Sequence, residues 1–147
     1  MALTPVYSST GKKASEDKLL RERYLIASEL VFLLKQFAEG CARVVADAGH
    51  TDPQIERLPT EGYPILTLGE VTGDWRALNA KIMYCVREIP VMQTEARRTI
   101  AGVSEHDHPI YATSYFRERH YQYDRPGMKA LILAMRLRRS VGLPESR

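Results

Sequence analysis

An apolar repeat in the first third of the chain constrains the fold more than any other feature. Between Ser15 and Ala48, apolar residues recur at alternating spacings of four and three, which places them along one side of an α-helix. This first stripe comprises Leu20, Tyr24, Ala27, Val31, Leu34, Ala38, Cys41, Val45 and Ala48, and a second stripe beside it comprises Ile26, Leu30, Leu33, Phe37 and Val44. Two adjacent stripes predict a helix that is buried over much of its circumference.

This predicted helix is long for the size of the chain. Residues 15–48 would span about 51 Å as an unbroken helix, whereas a compact domain of 147 residues is about 38 Å across. Either the helix breaks near Gly40, because glycine disfavours helix by about 1 kcal/mol, or the molecule is elongated and the projecting part packs on a partner. The sequence leaves both alternatives open.

The rest of the chain predicts shorter helices, and the fold class that follows is all-α, a bundle of about five helices with a long N-terminal helix. Apolar residues at helical spacing indicate the further helices 72–89, 91–104, 110–123 and 126–141. Pro90 and Pro126 are expected to separate them, because proline disfavours helix in the residue before it. Gly142 and Pro144 are expected to end the last helix.

The remaining segments predict little regular structure. Residues 1–13 lack periodicity and are expected to form a flexible N-terminal tail, so that 14–147 would be a single helical domain. Several prolines and glycines interrupt residues 49–71, within which 63–68 could be extended. A lone strand would have no obvious partner in this chain.

Composition excludes several classes of protein. With 44% hydrophobic and 27% charged residues the chain is of ordinary globular composition, and it has no apolar run of the length that a membrane-spanning helix needs. The N-terminus lacks the apolar core of a signal peptide. Only two cysteines occur, Cys41 and Cys85, both within apolar helical patterns, so no disulfide framework is expected. We expect a cytoplasmic protein without a cofactor.

The net charge of +3 conceals an asymmetry. Residues 110–147 contain eight basic and three acidic residues, a net charge of +5, whereas residues 1–109 contain 13 basic and 15 acidic residues, a net charge of −2. A basic segment rich in arginine and tyrosine can bind nucleic acid or another polyanion. The candidates are Arg117, Arg119, Arg125, Lys129, Arg136, Arg138 and Arg139. The alternative is an amphipathic helix with cations near its C-terminus, which the helix dipole favours.

Two histidine patterns are candidates for chemistry. His106 and His108 would point the same way in an extended loop and could reach one metal ion, although a metal site needs three or four ligands. Arg43 and His50 are separated by six residues, a spacing that resembles that of HEPN-type ribonucleases, in which an arginine and a histidine act within a helical bundle. Val44 stands where that family commonly has a polar residue.

Three functions therefore remain open. The first is a non-enzymatic interaction or assembly protein, expected to be a homo-oligomer or to bind another protein through the seam residues Leu20, Tyr24, Ala27, Val31 and Leu34. The second is binding of nucleic acid or another polyanion by the basic C-terminal third. The third is a small ribonuclease-like enzyme that uses Arg43 and His50. No serine elbow, phosphate-binding loop or dinucleotide fingerprint is present, so the sequence favours the non-enzymatic functions.

Overall fold

The computed structural model describes residues 3–144 and is mainly helical. Its helices are α1 (Leu3–Ala46), α2 (Ala80–Ser104) and α3 (Thr113–Val141), and a short 3-10 turn covers Trp75–Ala77. A two-residue hairpin pairs β1 (His50–Thr51) with β2 (Arg57–Leu58) in antiparallel register. The mainly helical character and the long N-terminal helix are confirmed, but three α-helices take the place of the expected five.

The expected number of helices was wrong because Pro90 and Pro126 both lie within helices and do not separate them. Pro90 is inside α2 and Pro126 is inside α3, so 72–89 and 91–104 do not form separate helices, nor do 110–123 and 126–141. A proline in a helix interior costs about 3 kcal/mol because it removes one hydrogen bond. Pro126 is fully buried, and packing around it offsets that cost.

The first helix is unbroken at Gly40. An added Cβ at this position would lie 2.4 Å from the Cβ of Pro64, so the glycine is required by the close approach of the loop that follows α1. The helix begins at Leu3, before the predicted start at Ser15, and therefore includes most of the stretch 1–13. Residues 1–2 lie outside the described residues, and the flexibility of this stretch stays a prediction.

Helices α1 and α3 run antiparallel and form the centre of the molecule. Near one end Asp47 bonds to Arg119, and further along an added Cβ at Gly127 would lie 2.7 Å from the Cβ of Cys41. Helix α2 packs on α3, where Lys129 bonds to Glu88 at 2.7 Å. Side chains from all three helices and Leu66 form one core, which includes Leu30, Leu34, Val44, Val86, Ile89, Ile100, Ala130, Leu133 and Leu137.

The segment 49–79 is mostly irregular and is fixed to the helices by its backbone. The Glu29 carboxylate of α1 accepts hydrogen bonds from the N–H groups of Thr72 and Gly73, at 2.9 and 2.7 Å. The buried side chain of Gln93 accepts from Leu66 N–H at 3.2 Å and donates to the Pro64 carbonyl at 2.8 Å. No strand forms over residues 63–68. These bonds fix residues 64–73 to α1 and α2 without a strand.

The ends of the helices follow local rules where packing does not override them. Gly142 adopts a left-handed conformation with φ of 70° at the end of α3, and Leu143 N–H bonds back to the Arg138 carbonyl at 2.9 Å. The expected end of the last helix at Gly142 is thus confirmed. Within residues 3–144, no helix combines the length and the apolar character that crossing a bilayer requires.

Two glycines in helices test whether close packing or helix propensity decides their role. We expect Gly127→Ala to destabilise the protein by about 1–3 kcal/mol, because its new methyl group would overlap Cys41. The matched variant Gly102→Ala lies in α2, where an added Cβ meets nothing within 4 Å. It should stabilise the protein by about 0.5–1 kcal/mol through helix propensity alone. Urea unfolding of both variants measures the difference, and a shift of both in the same direction would contradict this role for Gly127.

Candidate interaction surfaces

A buried ion pair joins the C-terminal end of α1 to α3. Arg119 donates from Nη1 to Oδ2 of Asp47 at 3.0 Å and from Nη2 to the Glu61 carbonyl at 2.8 Å. The Arg119 side chain is 1% exposed. His120 donates from Nε2 to the backbone oxygen of Asp47 at 2.9 Å. Two successive residues of α3 thus hold the end of α1.

The Asp47 carboxylate also organises the chain that leaves α1. Its oxygens accept hydrogen bonds from the backbone N–H groups of Gly49, Thr60 and Glu61, at 2.9, 3.0 and 2.9 Å. Burial raises the pKa of Asp47, but these bonds together with the one from Arg119 outweigh burial and lower its pKa to about 2. The carboxylate is therefore ionised at neutral pH and pairs with a charged guanidinium.

Aromatic rings enclose this ion pair. The guanidinium carbon of Arg119 lies 5.1 Å from the ring centre of Tyr63 and 5.5 Å from that of Phe116. Tyr63 in turn stacks on Tyr123, with ring centres 4.8 Å apart and planes 5° from parallel. Cation–π contacts of this kind stabilise a charge that has been removed from water. Within the described part of the chain, Arg119 Nε has no hydrogen-bond partner.

The structure divides the seven basic residues that the sequence singled out. Arg119 is buried against Asp47, and Lys129 is bonded to Glu88, so neither is available to a polyanion. The other five form no ion pair with any carboxylate among residues 3–144. They are Arg117, Arg125, Arg136, Arg138 and Arg139, of which all but the half-buried Arg138 are exposed.

An exposed apolar stripe on α3 lies among these arginines. It consists of Met128, Leu131, Ile132 and Met135, which share one face of the helix and are 43–51% exposed. The sequence analysis counted them among the apolar residues of the last helix, without a signal that they face outward. The core instead takes the opposite side of α3, with Ala130, Leu133, Ala134 and Leu137.

The seam expected on α1 is also divided. Ala27, Val31 and Leu34 are buried in the core of the same chain and are not available to another molecule. Leu20 is 58% exposed and Tyr24 is 47% exposed. All residues from 11 to 21 are exposed, so within residues 11–46 the rest of the protein covers α1 only from about Glu22 onward. The part of α1 that precedes Glu22 is called the free half below.

Arg43 and His50 both contact the segment that Asp47 holds. The Nε atom of Arg43 lies 4.0 Å from Oε2 of Glu61, and Nδ1 of His50 lies 3.1 Å from Oγ1 of Thr60. Arg43 is exposed on α1, and His50 is exposed in β1. A ribonuclease-like role for the two residues stays a prediction.

His106 and His108 lie in the connection between α2 and α3. There Oδ2 of Asp107 accepts a hydrogen bond from Tyr115 N–H at 2.7 Å, which satisfies an N–H group in the first turn of α3. Nδ1 of His108 accepts from Ile110 N–H at 3.2 Å, and its ring lies 5.0 Å from that of Tyr111. No cluster of three or more histidine, cysteine or acidic side chains suited to a metal ion occurs between residues 3 and 144.

Comparison of the chain with models of protein families, with curated proteins and with solved structures yields no match.

The lowered pKa of Asp47 predicts a specific loss of stability in acid. Its folded pKa of about 2 lies below the ordinary value of 3.8, so the ionised carboxylate stabilises the folded state. This contribution of about 2 kcal/mol is complete above about pH 5 and is lost as the pH falls towards 2. Free energies of unfolding, measured by urea titration from pH 7 to pH 2.5, should show this decline.

Two variants distinguish the contribution of Asp47 to the acid-induced loss of stability from that of the other carboxylates. Asp47→Asn should lose about 3–5 kcal/mol at pH 7, because Arg119 would remain buried without a charged partner, and its acid decline should be shallower. Asp124→Asn, at an exposed position of α3, should retain the decline of the unchanged protein. An equally steep decline in Asp47→Asn would contradict this assignment.

Proposed function

We propose that this protein is a non-enzymatic assembly protein that forms a homo-oligomer through the free half of α1. The observation that carries the proposal is the uncovered helix: α1 starts at Leu3, yet its first buried described residue is Ile26. Residues 11–21 are all exposed and extend roughly 16 Å beyond the part that the rest of the chain covers. Isolated helices of this length are marginal in water, and a second helix would stabilise this one.

Apolar residues at the end of the free half and just after it supply the contact. Leu19, Leu20, Tyr24 and Leu25 are each about half exposed and lie within two turns of the helix. Half-exposed leucines and tyrosines grouped in this way are typical of interfaces. Their burial against a second copy would remove most of the large apolar surface that this segment presents.

The charges favour a second copy of this chain as the partner. In an antiparallel pair centred between Leu19 and Leu20, Glu16 of one copy lies opposite Arg23 of the other, since each is three residues from the centre. In this register Asp17 lies opposite Glu22 and Lys18 opposite Arg21, which are like charges, but each is balanced along its own helix, because Asp17 precedes Arg21 by four residues, as Lys18 precedes Glu22.

The test is sedimentation equilibrium of the full chain from about 1 to 100 µM, a range suited to interfaces of modest size. We expect the unchanged protein to be a dimer or a higher oligomer. Leu20→Glu should raise the dissociation constant at least about tenfold, because it removes an apolar contact of about 1.5–3 kcal/mol and places a charge in the interface.

The matched control is Phe32→Glu, which makes the same kind of change on the packed half of α1 at an exposed position. It should leave the dissociation constant unchanged. A monomer throughout the concentration range, or equal dissociation of both variants, would overturn the proposal.

Polyanion binding is a second candidate function, which the five arginines of α3 without an ion pair support. If nucleic acid binds there, Arg136→Ala combined with Arg139→Ala should weaken binding and reduce the slope of log K against log salt concentration by about 2. Lys81→Ala combined with Arg98→Ala removes two exposed charges from α2 and should leave the slope unchanged. Filter binding of a labelled RNA from 20 to 200 mM salt measures both, and absence of binding at the lowest salt excludes this function.

A further inference from the structure

The exposed stripe of α3 forms one wall of a groove whose other wall is α1. The groove has a volume of about 270 Å³. On the α1 side it is lined by alanines at a spacing of four, Ala38, Ala42 and Ala46, and on the α3 side by Met128 and Leu131. Gly127 and Cys41 lie at its floor, where the two helices are closest.

The shape of this groove suits a third helix. A row of small residues allows the backbone of a neighbouring helix to approach closely, and flexible methionines adapt to the side chains that enter. Leu131 follows Met128 by three residues, and Met135 follows Leu131 by four, which continues the stripe beyond the groove. A helix with apolar residues at positions i, i+3, i+4 and i+7 would place them along this surface.

The charges around the groove determine the chemistry of its occupant. Arginines stand at both ends of the stripe: Arg125 precedes Met128 by three residues, and Arg138 and Arg139 follow Met135 by three and four. Asp124, in the α3 wall, is the acidic residue among those that line the groove. Asp124 is adjacent to Arg125 at the N-terminal end, where one charge offsets the other, and Arg138 and Arg139 have no carboxylate beside them in α3. An occupant with an apolar centre and acidic residues at its ends complements this arrangement.

We propose that the groove between α1 and α3 binds an amphipathic helix of a partner protein that carries acidic residues on both sides of an apolar centre. Nucleic acid fits this surface less well, because its phosphates would pair with the arginines and leave the apolar stripe without a contact. A lipid surface is flat and would not enter a groove lined by alanines. This site is separate from the free half of α1, and its test does not depend on self-association.

The test uses the full chain and a designed probe. The probe is an 18-residue helical peptide with four leucines at i, i+3, i+4 and i+7 and glutamates at both ends, labelled for fluorescence anisotropy. Two comparison peptides carry lysine in place of glutamate, or the same residues in scrambled order. We expect the glutamate probe to bind saturably and the two comparison peptides not to bind. Salt should weaken the binding of the probe.

Three variants locate the site without disturbing the core. Leu131→Asn should weaken binding at least about tenfold, because burial of one leucine side chain accounts for about that ratio. Ala42→Trp should block binding by filling the groove at an exposed position, and Arg138→Gln should reduce the salt dependence. Tyr84→Asn, at an exposed site on α2, should bind the probe as the unchanged protein does.

Other outcomes overturn the proposal. Equal binding of the scrambled peptide would mean that charge alone is recognised. Failure of Ala42→Trp to reduce binding would place the peptide elsewhere on the protein. Binding of phosphatidylserine vesicles or of a labelled RNA, without binding of the probe, would assign this surface to lipid or to nucleic acid.

Discussion

The ion pair between Asp47 and Arg119 determines which face of α3 is buried. By apolar content alone, α3 has two faces that could enter the core: one with Ala130, Leu133 and Leu137, and one with Met128, Leu131, Ile132 and Met135. Arg119 is four residues before Tyr123 and seven before Pro126, both of which are buried on the first face. When Arg119 reaches Asp47, that face must turn inward.

Replacement of such a pair by apolar residues is often neutral or stabilising, because both charges must lose their hydration. The role of this ion pair is to position the helices relative to each other. The Asp47 carboxylate fixes the register of α1 against α3 and at the same time holds the backbone of Thr60 and Glu61. Glycine at position 127 is consistent with the same register, because it allows the helices to touch at Cys41. As a consequence, the larger apolar side chains of α3, Met128, Leu131, Ile132 and Met135, remain outside the core.

The sequence predicted the parts of this fold that follow from local rules and helical periodicity. These are the helical class, the long first helix and the end of α3 at Gly142. It did not predict that α2 and α3 continue through Pro90 and Pro126, because the cost of proline is local while the packing that offsets it involves residues distant in sequence. Periodicity also could not choose between the two apolar faces of α3, since both have helical spacing.

The partners of the polar residues in the helices also could not be predicted from the sequence. Glu29 and Asp47 lie on the charged side of the first helix, and the helical pattern treats them as residues that face water. In the structure each binds backbone N–H groups of the segment 49–79. A carboxylate that faces solvent and one that faces a loop give the same pattern in a sequence, because the pattern records polarity and not the partner. For the same reason the sequence overestimated how many basic residues of the C-terminal third are available to a polyanion, because Arg119 and Lys129 are paired within the chain.

The two uncovered surfaces arise from one arrangement of the chain. The loop 49–79, α2 and α3 leave residues 11–21 of α1 exposed, and α3 buries only one of its two apolar faces. The helical state of the free half depends on the packed half, which supplies the nucleus from which helix propagates. A partner that covers the free half would therefore stabilise helix that already exists, and binding would require less ordering than the folding of a separate segment. This coupling supports the proposal that the protein assembles through α1, and the groove beside α3 is proposed as a second, independent site for a partner of different charge.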